Sequence, residues 1–239
     1  MTALQVPHLV RAPVTPPPPG TRPPVLLLLH GLGSTEHPMF ALRHHVGAGC
    51  VVVSVQGPVS VAGEPDRFRS GVRFGRHARG WFHTHEDPAA PGGRRADAAE
   101  LDAAVARVLE AARDAPAAFG GDPARVFAAG FSQGAMTALA ALLAHPEALA
   151  GAAALGGRLL PEVVPRIATP ERLAGRAVLV AHGTGDPRVP VDEARRARDV
   201  LSALPLALTY HEVEARTHAV TAALRDRLAA WVDAVAGGA

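Results

Sequence analysis

The sequence predicts one α/β domain, a mostly parallel sheet with helices on both faces. Three observations lead there. Continuous aliphatic runs such as Val25 to Leu29, Val126 to Ala129 and Ala177 to Ala181 are too short for helices, and strands buried on both faces have this pattern. Amphipathic helical stretches fall between these runs, so strands and helices alternate along the chain. A length of 239 residues with 48% hydrophobic content can bury one substantial core.

Composition narrows the class. The 24 basic residues are all arginine, they oppose 22 acidic ones, and they are interspersed rather than gathered into a block. No stripe for nucleic acid results. The single cysteine, Cys50, has no partner for an internal disulfide and opens an apolar run, so a buried, inert thiol is expected. The beginning of the chain lacks a basic segment followed by an apolar one, and no apolar run approaches the length of a membrane span. The expectation is a cytoplasmic protein with no stable membrane insertion.

The first 23 residues are dominated by proline and read as a peripheral segment, with one edge strand conceivable around His8 to Pro13; residues 24 to 239 form the domain. The strand Val25 to Leu29 runs into His30-Gly31-Leu32-Gly33-Ser34. Glycines directly after a buried strand let the backbone fold over the carboxyl end of the sheet, where open α/β folds bind ligands. His30, at a strand end, reads as a residue that hydrogen-bonds the loop. A short helix from Pro38 to Gly47 precedes the strand Cys50 to Gln56.

Gly57 to Gly93 is a long connection, and connections beyond about 15 residues in a compact domain tend to be functional or disordered. Trp81-Phe82 lies in it as an aromatic pair in a polar setting. The pair reads as a wall of a substrate pocket, with a hydrophobic plug holding the loop down as the alternative. His83-x-His85-Glu86-Asp87 offers ligand types suited to a metal, but no second ligand cluster stands out, and no metal is expected.

Ala96 to Arg113 is a helix with Leu101, Val105, Val108 and Ala112 on one face. The strand that follows ends in Gly130-Phe131-Ser132-Gln133-Gly134, and Met136, Leu139, Ala140 and Leu143 then recur at helical spacing. A G-x-S-x-G turn from strand to helix holds its serine in a strained conformation, with small residues two places either side letting strand and helix approach. Ser132 is thus the candidate nucleophile. The N–H of Gln133, at the helix start, is aimed at developing negative charge, and Leu32 N–H in the earlier loop is the candidate second oxyanion donor.

A serine hydroxyl needs a base and an acid to orient that base. After a strand at Leu149 to Leu155 and a poorly patterned stretch, Leu160 to Gly175, expected at the rim of the site, the strand Ala177 to Ala181 closes with His182-Gly183-Thr184-Gly185-Asp186-Pro187. Its glycines allow a tight turn that points Asp186, the candidate acid, back over the sheet end. Asp192 and Glu193, in the first turn of the helix Val191 to Leu204, suit the helix dipole and need no other role. His218 lies between the last strand, Leu206 to Val213, and the last helix, Ala219 to Ala236, and is the candidate base; His211 lies within that strand and reads as structural. The chain order nucleophile, acid, base is that of α/β-hydrolases.

With the H-G-L-G loop, Trp81-Phe82, G-F-S-Q-G, H-G-T-G-D-P-R-V-P at His182 to Pro190 and Thr217-His218, the chain from Pro24 onward resembles the phospholipase/carboxylesterase family, which includes acyl-protein thioesterases and small bacterial esterases. The resemblance implies a compact α/β-hydrolase fold without a large cap. It implies hydrolysis of small-molecule carboxylic esters, and sometimes thioesters, with no cofactor, and Leu32 and Gln133 as the oxyanion pair. It leaves room for a homodimer. Two departures from the family pattern are Ala135, where many members carry glycine, and His83 after Trp81-Phe82, where an aspartate is often seen.

Overall fold

The computed structural model describes residues 4–90 and 93–237. The first three and last two residues of the chain, and Pro91 and Gly92 of the long connection, lie outside the described residues. In chain order the strands are β1 His8–Arg11, β2 Val25–Leu29, β3 Val51–Val55, β4 Val59–Ser60, β5 Arg79–Gly80, β6 Thr84–Glu86, β7 Arg94–Ala96, β8 Val126–Phe131, β9 Gly151–Leu155, β10 Ala177–Gly183 and β11 Ala207–Val213. The helices are α1 Glu36–Phe40, α2 Ala98–Phe119, α3 Gln133–Ala144, α4 Pro170–Leu173, α5 Val191–Ser202 and α6 Ala222–Gly237.

Seven strands form one sheet in the order β1-β3-β2-β8-β9-β10-β11. Only β1 is antiparallel; the other neighbours pair in parallel, with Leu29 opposite Gly130 and Phe131 opposite Leu155 at their carboxyl ends. The aliphatic runs are buried on both faces, as their composition demands. Leu27 and Leu29 pack with α2, α3 and α5 on one side, and Leu26 and Leu28 pack with α1 and α6 on the other. The chain winds outward from β2 to β3 and then returns to place β8 on the far side of β2. A crevice opens at such a reversal of direction, and the His30–Ser34 loop and Ser132 both leave the sheet there.

The structure differs from the sequence reading in several places. The edge strand expected around His8 to Pro13 is β1, paired with β3, but the segment before it, read as peripheral, also buries Leu4 and Val6 in the core. Helix α2 runs six residues beyond the expected Arg113, through Pro116 to a left-handed Gly120. Ala111, Ala115 and Pro116 are buried there, and that burial offsets the hydrogen bond the proline lacks. The stretch Leu160 to Gly175 does not form the rim: Leu160, Val163 and Leu173 are in the core, and Ala168 N–H donates to Leu143 O at the end of α3 remote from Ser132. Cys50 is buried, and burial pushes its thiol up to about 11.

Candidate active site

The turn at Ser132 is built by steric exclusion. Ser132 has φ 55° and ψ −116°, the sole non-glycine residue with positive φ among the described residues. A Cβ on Gly130 would stand 2.2 Å from the Gly134 carbonyl, and one on Gly134 would stand 2.2 Å from Leu29 O. No side chain fits at either place, and the close crossing of β8 and α3 holds the serine in its strained conformation.

His218 joins the other two candidates. Its Nε2 lies 2.8 Å from Ser132 Oγ and its Nδ1 lies 2.6 Å from Asp186 Oδ2. The carboxylate fixes the proton on Nδ1 and leaves Nε2 free to accept from the serine. Asp186 is almost fully buried, which alone would raise its pKa. The bond from His218 and the N–H groups of Val189 (3.0 Å) and Arg188 (2.8 Å) outweigh that burial and hold the carboxyl below its ordinary value. Phe131 lies against the imidazole, ring centres 4.8 Å apart. Buried His182 steadies the acid loop by donating Nε2–H to Val189 O at 2.8 Å.

Among the described residues neither Leu32 N–H nor Gln133 N–H donates to another main-chain group. Both flank Ser132, one from the loop after β2 and one from the first position of α3, where helix amides have no partner within the helix. His30 shapes that loop. It is buried, its Nε2 accepts Gly57 N–H at 2.9 Å and its Nδ1–H donates to Gly31 O at 2.8 Å. Burial lowers its pKa and keeps it neutral.

Of the two readings of the aromatic pair, Trp81 follows the plug rather than the pocket wall. Both Trp81 and Phe82 are fully buried, and the Trp81 indole N–H donates to His30 O at 2.7 Å. A buried indole needs an acceptor for its N–H, and the strand end that leads into the His30–Ser34 loop supplies it. The Gln133 side chain clamps the pair: its Oε1 accepts Trp81 N–H at 2.7 Å and its amide donates to Phe82 O at 2.5 Å. Phe82 alone borders the cleft. His83 is held between two carboxylates, Nδ1 at 2.9 Å from Glu100 and Nε2 at 3.1 Å from Glu64, and the Glu100 bond foremost raises its pKa. Among the described residues no group of three or more His, Cys, Asp or Glu side chains is placed to hold a metal ion.

The cleft above Ser132 has two lobes. One, of about 500 Å³, is lined by Met39, Leu42, Phe74, Phe131 and Val220, with Arg188 and Arg225 also at its wall. The other, of about 230 Å³, carries Arg67, Arg94, Arg158 and Arg188. Leu32, Phe68, Ser132, Arg188 and His218 line both, so the lobes meet at the serine.

Residues 13–228 match the family model described as Phospholipase/Carboxylesterase. The chain belongs to that family. Its members' fold is present over nearly the whole chain. A Bacillus cereus carboxylesterase structure is 28% identical, with 97% of this chain and 95% of that one covered at a TM-score of 0.72. Esterase PE8 is 25% identical, with 98% and 100% covered at 0.73. Zea mays acyl-protein thioesterase 2, at 22% identity with 97% and 100% covered and a TM-score of 0.75, shares the fold. The probable carboxylesterase Os04g0669500 of Oryza sativa subsp. japonica is 29% identical over 163 residues, which span 67% of this chain and 58% of the rice protein. The fold is the α/β-hydrolase fold, and the family, the Bacillus cereus protein and the probable rice enzyme are carboxylesterase-type hydrolases. No helix among the described residues is long and apolar enough to cross a membrane.

The four arginines of the smaller lobe are the site feature that sequence reasoning missed. They come from the long connection, from β7 and from the loops after β9 and β10. No shared period or motif links them in the sequence.

Proposed function

We propose that this protein is a serine hydrolase that cleaves carboxylic esters, and thioesters of similar shape, through an acyl-enzyme. The observation that carries the reading is His218 bridging Ser132 Oγ and the buried Asp186 at 2.8 and 2.6 Å. His218 Nε2 takes the Ser132 proton as Oγ attacks the substrate carbonyl carbon. The carbonyl oxygen becomes an oxyanion held by the N–H groups of Leu32 and Gln133, which need no reorganisation because they have no competing main-chain acceptor. The imidazolium, stabilised by Asp186, returns its proton to the departing alkoxide or thiolate. Water then enters, His218 takes its proton, and collapse of the second tetrahedral species restores Ser132 and releases the acid. Each oxyanion donor is worth about 3 kcal/mol of barrier in such sites. The apolar lobe suits an aliphatic or aromatic limb of the ester.

The test is labelling by a fluorophosphonate, with nitrophenyl ester hydrolysis measured in parallel. Labelling and turnover in wild type, both abolished in Ser132→Ala and both indifferent to a chelator, are expected. A folded wild type that is neither labelled nor active would overturn the assignment.

A further inference from the structure

The smaller lobe gathers positive charge beside the serine. Arg67, Arg94, Arg158 and Arg188 line it, and Glu193 is the one carboxylate among its lining residues. That glutamate is engaged by Arg196, which lies outside the lining, at 2.5 Å. Asp66, the residue before Arg67, is tied to Arg69 at 3.8 Å and Arg188 at 3.9 Å and accepts Phe68 N–H at 3.0 Å. Among the described residues Arg94 and Arg188 each have one carboxylate within 4.0 Å, at 3.6 and 3.9 Å, and Arg158 lies near Glu193 and Glu162, which leaves Arg67 as the lining arginine with no such ion pair.

Neighbouring groups set their positions. Arg94 donates Nε–H to Thr84 Oγ1 at 2.9 Å and Nη2–H to Thr84 O at 2.6 Å, and its Nη1 lies 3.6 Å from the exposed Glu86. Arg158, buried behind it, donates to Arg94 O at 2.9 Å. Arg67 and Arg188 lie over the Phe68 ring, their guanidinium carbons 5.0 and 4.9 Å from its centre. Arg67 also donates to Thr84 Oγ1 at 2.5 Å, and among the described residues no carboxylate lies within 4.0 Å of its guanidinium nitrogens. Arg67 is exposed as a whole, yet partial burial of its guanidinium group, followed by the charges of Arg94 and Arg158, pushes its pKa down to about 10, so it stays charged at neutral pH.

Like charges held this close in a partly enclosed cavity repel one another, and an anion between them removes that cost while gaining planar, charge-assisted hydrogen bonds. Resting on the serine-hydrolase reading above, we propose that the natural ester is two-faced: one limb is apolar and fills the larger lobe, and the other ends in an oxyanionic group, a carboxylate or a phosphate, that seats against Arg67 and Arg94. The lobe's volume of about 230 Å³ suits a short charged limb rather than a second long chain.

Two matched pairs of substrates test this. Nitrophenyl glutarate monoester is compared with nitrophenyl hexanoate, which puts a carboxylate on the acyl limb, and hexanoylglycerol phosphate with hexanoylglycerol, which puts a phosphate on the alcohol limb. At least one charged substrate should exceed its neutral counterpart in kcat/KM by about tenfold or more, as one charge-assisted contact predicts. The ratio should fall toward one in Arg67→Met, recover in part in Arg67→Lys, and shrink with added salt. Ratios of one or below in wild type for both pairs, or a preference that survives Arg67→Met and Arg94→Met unchanged, would overturn the proposal while leaving the serine hydrolase intact. Loss of all turnover together with loss of fluorophosphonate labelling would strike the underlying assignment, and this proposal with it.

Discussion

Asp186→Asn tests whether the orientation of a single carboxylate sets the state of the base. Asp186 Oδ1 accepts the N–H groups of Arg188 and Val189 at 2.8 and 3.0 Å, and Oδ2 receives His218 Nδ1–H at 2.6 Å. An asparagine keeps both main-chain bonds only by presenting its oxygen to them, so its NH2 group must face His218. The imidazole then accepts at Nδ1 and carries its proton on Nε2, aimed at Ser132 Oγ where a base is required. Turning the amide over would restore the useful tautomer but leave two N–H groups without an acceptor, at about 1–2 kcal/mol each. The substitution also removes the charge-assisted bond that stabilises the imidazolium, about 1.5–3 kcal/mol. Together these amount to about 4–7 kcal/mol, a loss of kcat on the order of 10³ to 10⁵. The assay is turnover of a nitrophenyl ester, with a thermal melt beside it. Because the two side chains have nearly the same shape, the melting temperature should stay close to wild type. A variant that melts like wild type and keeps kcat within about tenfold of it would refute the tautomer argument.

Two further outcomes follow from the geometry. Gly134→Ala drives a Cβ to within 2.2 Å of Leu29 O, a clash with main chain that cannot turn aside, so it should cost about 3 kcal/mol or more; Gly75→Ala, with open space around it, should leave the denaturation midpoint unchanged. Equal midpoints for Gly134→Ala and wild type would show that the β8–α3 crossing is not sterically limited. The second outcome concerns pH. His83, its pKa raised first by Glu100 and also by Glu64, ties the long connection to α2 with a charge bound more tightly in the folded state than in the unfolded chain. That contribution is fully present below about pH 6.5 and is lost as pH rises through the raised folded value. The difference in melting temperature between wild type and His83→Gln should therefore shrink from about pH 6 to about pH 9, and a difference that grows over that interval would contradict the assignment of charge.

Much of the fold was legible because burial on both faces writes itself into local composition. Val25 to Leu29 can be little else than an interior strand, and the glycines at 130 and 134 state how closely strand and helix must cross. Ser132, Asp186 and His218 could be singled out one by one, each by its place after a strand end. The boundaries were harder to read. Helix α2 passes Arg113 because the core covers Ala115 and Pro116, a tertiary gain that outweighs the proline's local preference. The stretch Leu160 to Gly175 lacks period because its few core residues reach α3 from irregular backbone.

The sequence by itself determined the buried parallel strands of the main sheet, the strained serine turn and the chain order of the three candidate catalytic groups, since each depends on neighbours within a few residues; the short strands β4 to β7 of the long connection it did not show. Only the tertiary structure decided that Trp81 packs under the His30–Ser34 loop while Phe82 borders the cleft, that His83 is bracketed by Glu64 and Glu100, and that arginines at 67, 94, 158 and 188 converge on one lobe. Those meetings depend on strand order. The chain reverses its winding direction at β2, bringing loops that are far apart in sequence over the same end of the sheet, and no local periodicity encodes which side chains will face one another there.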